Sequence, residues 1–168
     1  MADLLNNTNS NANNYGDDAI VTLSPREHIR LRPGMYVGVV GDGSQPDEAL
    51  YVLIKEVVDN SIDEFIMGAG RQIDITLADN VVTVRDYGRG IPLKSLAAAV
   101  GQMNTGGKYG GDAFKKTVGL NGVGVKAVNM LSEEFTARSV RDGEARTVTF
   151  AKGLEVSDRW ERGVNEKN

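Results

Sequence analysis

The longest amphipathic pattern in the chain predicts a helix over residues 47–67, which Gly68 and Gly70 then end. On a helical wheel, one broad face holds mostly apolar side chains: Leu50, Ile54, Val57, Val58, Ser61 and Phe65. The opposite face is polar and holds Glu56, Asn60 and Asp63, with Glu64 at its margin. The pattern therefore predicts a long helix with one apolar and one polar side.

Segments rich in β-branched residues predict two hairpins, formed by residues 72–77 with 81–85 and by residues 135–141 with 146–150. Asp79-Asn80 and Asp142-Gly143 are turn-forming pairs between the strands. Shorter helices are expected near residues 93–103 and 125–131. Together these elements predict an α+β fold, with helices packed on one face of a mostly antiparallel sheet.

Composition narrows the class of protein. The length of 168 residues suits one domain, and the net charge of −4 argues against a free-standing nucleic-acid binder, which is usually basic. The absence of cysteine excludes disulfides and thiolate metal sites and fits a reducing compartment. No apolar run approaches the roughly 20 residues of a membrane span, and no signal peptide is recognisable, so we expect a cytoplasmic protein without membrane contact.

The N-terminal segment differs from the rest of the chain. Residues 1–18 are rich in Asn and have few apolar anchors, which is typical of disorder. We therefore expect a disordered N-terminal arm over residues 1–18 and a single domain over residues 19–168.

The polar side of the long helix is a candidate for chemistry. Glu56 and Asn60 are one turn apart and point the same way. Such a pair could hold a metal ion through the amide oxygen while the carboxylate positions and deprotonates a water. Taken alone, however, the stripe is more simply explained as the solvated face of an amphipathic helix.

Two glycine motifs offer further candidates. Asp86-x-Gly88-x-Gly90 follows a strand, where a carboxylate could accept a hydrogen bond from an exocyclic amine and the glycines would let a planar ligand approach the backbone. A turn with an aspartate in it is the simpler alternative.

The second glycine motif, residues 119–124, enters a helix, where backbone N–H groups can bind phosphates. Upstream, Lys108 and Tyr109 lie in a glycine-rich segment with the character of a lid. The spacing matches neither a Walker A loop nor a Rossmann fingerprint, and a flexible connection remains the alternative.

The order of these motifs resembles the N, G1 and G2 boxes of the GHKL ATPases, which include topoisomerase ATPase subunits, Hsp90 chaperones, MutL proteins and sensor histidine kinases. Within that superfamily, the sequences RPGMYVG (32–38), EVVDNSIDE (56–64), DYGRGIP (86–92) and TGGKY (105–109) are similar to the B subunits of bacterial gyrase and topoisomerase IV. The resemblance implies the GHKL (Bergerat) sandwich, with ATP and Mg²⁺ as cofactors.

The resemblance also implies roles for individual residues. Glu56 would be the general base for hydrolysis, Asn60 the Mg²⁺ ligand and Asp86 the partner of the adenine amino group. Arg89 would lie at the pocket mouth and pair with Glu56 or Glu64. The other residues implied to contact ATP are Glu64, Gly90, Ile91, Pro92, Lys108, Tyr109, Gly119, Leu120, Asn121, Gly122, Val123, Gly124 and Val125.

Two more residues acquire roles only through the resemblance. Arg141 would lie at the pocket rim and contact aminocoumarin antibiotics, and Tyr15 would reach the nucleotide of a second copy from the N-terminal arm. The expected activity is ATP hydrolysis that couples dimer closure to DNA strand passage, with the topoisomerase A subunit and DNA as partners. Topoisomerase IV is preferred to gyrase as the parent enzyme; the alternative is a GHKL switch that binds nucleotide and dimerises without catalysis.

The sequence also departs from the family pattern. Val52 stands where a histidine usually supports the catalytic glutamate, so the orientation of Glu56 must come from elsewhere. Asn121 and Lys126 replace a common histidine and serine. His28 lies outside every motif and is interpreted as structural. The chain is expected to stop short of a C-terminal strand and of the transducer domain, and hence to bind nucleotide but hydrolyse it poorly.

Overall fold

The computed structural model describes residues 19–106 and 122–166. Its helices are α1 (Pro25–Leu31), α2 (Gly34–Val37), α3 (Ala49–Ile66), α4 (Leu96–Gly101) and α5 (Gly124–Leu131). Its strands are β1 (Ile73–Ala78), β2 (Val81–Asp86), β3 (Glu134–Arg141), β4 (Glu144–Ala151) and β5 (Leu154–Arg162). The arm with Tyr15, and the loop residues Lys108, Tyr109, Gly119, Leu120 and Asn121, lie outside the described residues.

The α+β class and both predicted hairpins are confirmed. In the first hairpin, Asp79 and Asn80 adopt positive φ angles of 51° and 61°, which suit a tight turn between twisted strands, and β1 pairs with β2 from Ile73↔Asp86 to Ala78↔Val81. In the second, β3 pairs antiparallel with β4 around the Asp142-Gly143 turn. The described strands form two antiparallel sheets, β1-β2 and β3-β4-β5, and β5 was absent from the predicted elements.

Helix α1 was also absent from the predicted elements, although its start is strongly encoded. The Ser24 hydroxyl accepts a hydrogen bond from the Glu27 backbone N–H at 3.3 Å, and the Glu27 carboxylate accepts one from the Ser24 N–H at 2.9 Å. This reciprocal capping box, with Pro25 in the first turn, fixes the helix start. The Ser24 hydroxyl also donates to the Glu27 carboxylate at 2.6 Å, and this bond, together with the one from the Ser24 N–H, lowers the pKa of Glu27.

The main hydrophobic core lies between α4 and the β3-β4-β5 sheet. Leu96 and Val100 on α4 pack with Val148 and Phe150 on β4, and all four side chains are buried. This core anchors the chain immediately after the Asp86–Pro92 segment, so it sets where that segment meets the sheet.

Helix α3 is oriented differently from a surface helix with a solvated polar side. Asp59, Ser61 and Asp63 are buried, with Asp63 only 4% exposed, whereas Leu50 is 51% and Phe65 59% exposed. The apolar side therefore does not face the core along its whole length. Burying carboxylates is unfavourable unless they are hydrogen-bonded or paired, so an inward polar side is the mark of a functional or structural polar network. None of the described helices is long and apolar enough to cross a membrane.

Candidate functional site

Glu56 of α3 reaches the start of α5. Its carboxylate lies so close to Gly124 that a Cβ added there would overlap the carboxylate atoms. The two helices pack against each other, which brings the predicted acid of the long helix to the glycine-rich helix start. The sequence placed these two features in separate motifs, and tertiary packing makes them one site.

Asp86 ends β2 and points towards α3. Its Oδ1 accepts a hydrogen bond from the Gly88 N–H at 2.9 Å, and its Oδ2 accepts one from the Ser61 hydroxyl at 3.4 Å. Ser61 and Asp86 line an open cavity of about 280 Å³ together with Phe65 and Gly70. Ser61 lies on the predicted apolar side of the helix, and no local pattern indicates its contact with Asp86, because only the packing of α3 on β2 brings the two residues together.

Glycine is required beside these acids. A Cβ at Gly88 would lie 2.9 Å from Asp86 Oδ1 and 3.0 Å from Glu64 Oε2. Gly90 has a φ of 71°, which a residue with a side chain rarely adopts. The Asp-x-Gly-x-Gly motif therefore lets the backbone pass closely between the end of β2 and helix α3.

Residues 45–156 match the family model described as Histidine kinase-, DNA gyrase B-, and HSP90-like ATPase. The match covers more than half of the chain and includes the segments that hold Glu56, Asp86 and Gly124. The chain belongs to this ATPase family.

Relatives within the family include topoisomerases. The chain is 55% identical over 146 residues to the B subunit of DNA topoisomerase 4 from Borreliella burgdorferi, a match that covers 87% of this chain and 24% of that protein. It is 42% identical over 153 residues to the B subunit of DNA gyrase from Rickettsia conorii, covering 86% and 18% respectively. The chain thus spans about a quarter or less of the length of these curated relatives.

The fold agrees with a solved member of the family. The 43K ATPase domain of Thermus thermophilus gyrase B, in complex with an aminocoumarin, superposes with a TM-score of 0.67 at 26% identity. The superposition covers 84% of this chain and 36% of that one. The predicted GHKL sandwich is confirmed.

Within this ATPase domain, Arg89 pairs with Glu64. Its Nε and Nη2 donate to the two oxygens of the Glu64 carboxylate at 3.0 Å and 2.8 Å, and its backbone N–H donates to Glu64 Oε2 at 3.2 Å. The sequence allowed either Glu56 or Glu64 as the partner of Arg89, and in the structure the partner is Glu64. The Arg89 side chain holds the pKa of Glu64 below its usual range.

The Arg89–Glu64 pair predicts a pH dependence of stability. Because the pKa of Glu64 is lower in the folded state, ionised Glu64 stabilises the fold above its unfolded pKa, and this contribution is lost as pH falls through the lower, folded-state pKa. Glu64→Gln should therefore lower the free energy of unfolding at pH 7 by about 1 kcal/mol or less, since the pair is partly exposed. Urea unfolding between pH 3 and 7 measures the difference.

The matched control for this pH dependence is Glu134→Gln, which changes an exposed glutamate at the start of β3. The free energy of unfolding of this variant should fall at low pH in the same way as that of the wild type. Parallel curves for wild type and Glu64→Gln would contradict a stabilising role for the Arg89–Glu64 pair.

Arg141 and Arg89 meet at a second cavity, of about 460 Å³, which Tyr87 and Glu166 also line. Arg141 ends β3, far along the chain from Arg89, so the sheet brings the two residues to one side of the site. His28 lines neither this cavity nor the one at Ser61. Its Nδ1 lies 2.7 Å from the Tyr36 hydroxyl, in agreement with a structural role.

Proposed function

We propose that this chain binds and hydrolyses ATP as the ATPase domain of a bacterial type II DNA topoisomerase, and that the parent protein is a topoisomerase IV B subunit. The observation that carries the proposal is the approach of the Glu56 carboxylate to Gly124 at the start of α5. The preference for topoisomerase IV over gyrase rests on 55% against 42% identity to the relatives described above.

The chemistry follows from the three parts of the site. Phosphoryl transfer to water needs positioning, electrostatic stabilisation and a group that accepts the proton of the attacking water. The start of α5 supplies N–H groups and the positive end of a helix dipole for the phosphates. The residues assigned to it are Gly122 and Val123, which precede the helix, and Gly124 and Val125 in its first turn. Glu56 lies beside that turn and accepts the proton, whereas Asp86 accepts a hydrogen bond from the adenine amino group.

The residues present also fit Mg²⁺, which neutralises phosphate charge when bound. Mg²⁺ takes one or two protein oxygens, several waters and substrate phosphates. The described residues contain no group of three or more histidine, cysteine, aspartate or glutamate side chains able to cage a metal. The Asn60 amide nitrogen donates to the Glu56 carbonyl, which fixes the orientation of the amide. Asn60 would therefore hold the ion through its amide oxygen, with the phosphates completing the site.

The remaining assignments belong to the same proposal. Gly90, Ile91 and Pro92 form the adenine wall, Arg89 and Glu64 close the pocket mouth, and Arg141 receives an aminocoumarin as a rim contact. Lys108, Gly119, Leu120 and Asn121 also hold the phosphates, Tyr109 belongs to the lid, and Tyr15 reaches the nucleotide of a second copy in an ATP-bound homodimer. The topoisomerase A subunit and DNA are the partners of the whole enzyme.

Calorimetry with a non-hydrolysable ATP analogue and Mg²⁺ tests the proposal. We expect one nucleotide to bind each chain, with the matching GTP analogue bound at least about tenfold more weakly because Asp86 accepts a hydrogen bond from an amine that guanine lacks at that position. Displacement of the nucleotide by an aminocoumarin is expected in the same experiment. A chain that does not bind the ATP analogue would overturn the proposal.

A further inference from the structure

The chain between β2 and α4 is held at its far end by the β3-β4-β5 sheet. Arg146 on β4 is only 9% exposed, and its Nη1 donates to the carbonyl oxygens of Leu93 and Lys94 at 2.6 Å and 3.0 Å. Its Nε and Nη2 donate to the two carboxylate oxygens of Asp158, both at 2.9 Å. One guanidinium therefore ties the backbone that follows Pro92 to two strands of the sheet.

The Arg146 side chain is itself held in place. The register of β4 and β5 puts Arg146 opposite Trp160, and the guanidinium carbon lies 5.0 Å from the centre of the Trp160 ring. The cation–π contact and the bidentate bond to Asp158 leave the guanidinium little freedom to move. The carbonyls that it binds are consequently fixed relative to the sheet.

A second anchor comes from β3. Ser139 is 2% exposed, and its hydroxyl donates to the carbonyl oxygen of Ile91 at 2.8 Å. Ser139 and Arg146 thus bind the backbone on both sides of Pro92, while their own side chains lie on the sheet and not at Asp86.

The near end of the same segment is held by α3 through different residues. Ser61 contacts Asp86, and Glu64 binds both the side chain and the backbone of Arg89. The short stretch Gly90-Ile91-Pro92 therefore spans two anchors, one on the helix and one on the sheet. The distance from the Asp86 carboxylate to the Ile91-Pro92 wall is set by both anchors together.

We propose that Ser139 and Arg146 are positioning residues for nucleotide selection: they hold the Ile91-Pro92 wall at the separation from Asp86 that an adenine ring requires. The inference rests on the proposed function. A small displacement of this wall lowers the affinity for adenine. The ring can then no longer pack against the wall and keep its hydrogen bond to Asp86 at the same time. The phosphates, which bind at α5, should be insensitive to the same displacement.

Ser139→Ala and Arg146→Lys test the inference by separating the two halves of the ligand. Each variant is titrated with the Mg²⁺ complex of the ATP analogue, well below the melting temperature of that variant. Its affinity for inorganic tripolyphosphate is measured by competition with the same analogue. We expect ATP-analogue affinity to fall about tenfold in Ser139→Ala and more in Arg146→Lys, because a lysine ammonium has three N–H donors and cannot replace the four hydrogen bonds of the guanidinium. Tripolyphosphate affinity should stay within about twofold of the wild type.

Two control variants match these changes on the same sheet. Thr136→Val removes the hydroxyl bond between Thr136 and Thr149, and Arg162→Lys alters the exposed pair with Glu144, neither of which contacts the segment. Both should bind the two ligands as the wild type does. Melting temperatures show that each variant is folded, and Ser139→Ala decides the question if Arg146→Lys does not fold.

The outcomes separate this inference from the proposed function. Variants that bind both ligands as the wild type does, or that lose affinity for both in parallel, would overturn the positioning role and leave the proposed function intact. A wild-type chain without affinity for the ATP analogue would overturn the proposed function, and the inference with it. A selective loss of ATP-analogue binding supports the inference.

Discussion

Replacing Glu56 with glutamine should lower the rate of ATP hydrolysis at least about a hundredfold, while nucleotide affinity changes less than about threefold. Glutamine keeps the size of the side chain at Gly124 but cannot accept the proton of the attacking water. Single-turnover phosphate release, with the chain in excess over ATP, detects even slow catalysis. Affinity is measured by calorimetry with the non-hydrolysable analogue.

Gly124→Ala provides a second route to the same result. The added Cβ would overlap the Glu56 carboxylate, so the acid must move although its chemistry is unchanged. We expect hydrolysis to fall at least about tenfold. Glu155→Gln, which changes an exposed glutamate on β5, is the control and should hydrolyse ATP at the wild-type rate.

Hydrolysis by Glu56→Gln at the wild-type rate would remove Glu56 from the mechanism. If the wild type binds nucleotide but releases no phosphate above background, and Glu56→Gln behaves in the same way, the domain is a nucleotide-binding switch without catalysis. Catalysis and a nucleotide-binding switch therefore give different results in a single experiment.

Asp86→Asn should weaken binding of the ATP analogue by about ten- to a hundredfold. The Asp86 carboxylate already accepts hydrogen bonds from Ser61 and Gly88, and it retains acceptor capacity for an amine. An asparagine presents an NH₂ group in place of one oxygen, which opposes either the Gly88 backbone N–H or the adenine amine, since both can only donate. A hydrogen bond to a charged group contributes about 1.5–3 kcal/mol, which sets the expected range.

Asp74→Asn is the matched control for this loss. Asp74 lies in the same hairpin, and its carboxylate accepts hydrogen bonds from Gln72 and Tyr87 on the exposed surface. The substitution removes the same charge from a residue that does not itself line the cavity at Ser61, and it should leave affinity unchanged. Equal affinities for wild type and Asp86→Asn would show that the amine is recognised elsewhere.

Local features were predictable from the sequence because neighbouring residues determine them. Asp79-Asn80 tolerates positive φ angles, so the first hairpin and its register follow from the turn. Gly68 ends the long helix close to the predicted residue. The order of the motifs around Glu56, Asp86 and Gly124 was sufficient to indicate the family, since each motif is a short segment with its own backbone requirements.

Elements with weak or atypical patterns were missed. The capping box at Ser24 and Glu27 encodes α1, but three basic residues and the Pro33-Gly34 turn obscured it. Strand β5 is exposed along almost its whole length, so it has no alternation of buried and exposed residues to reveal it. Its pairing with β4 depends on backbone hydrogen bonds that no local pattern records.

Tertiary structure alone decided which side of α3 is buried. A wheel separates polar from apolar residues, but packing against α5 and β2 turns Asp63 inwards and leaves Phe65 exposed. The same packing brings the Glu56 carboxylate close to Gly124. It also makes Glu64, and not Glu56, the partner of Arg89. The sequence determined the chemical groups and their local backbone, whereas contacts between residues distant along the chain depend on how helices and sheets pack, which no local pattern specifies.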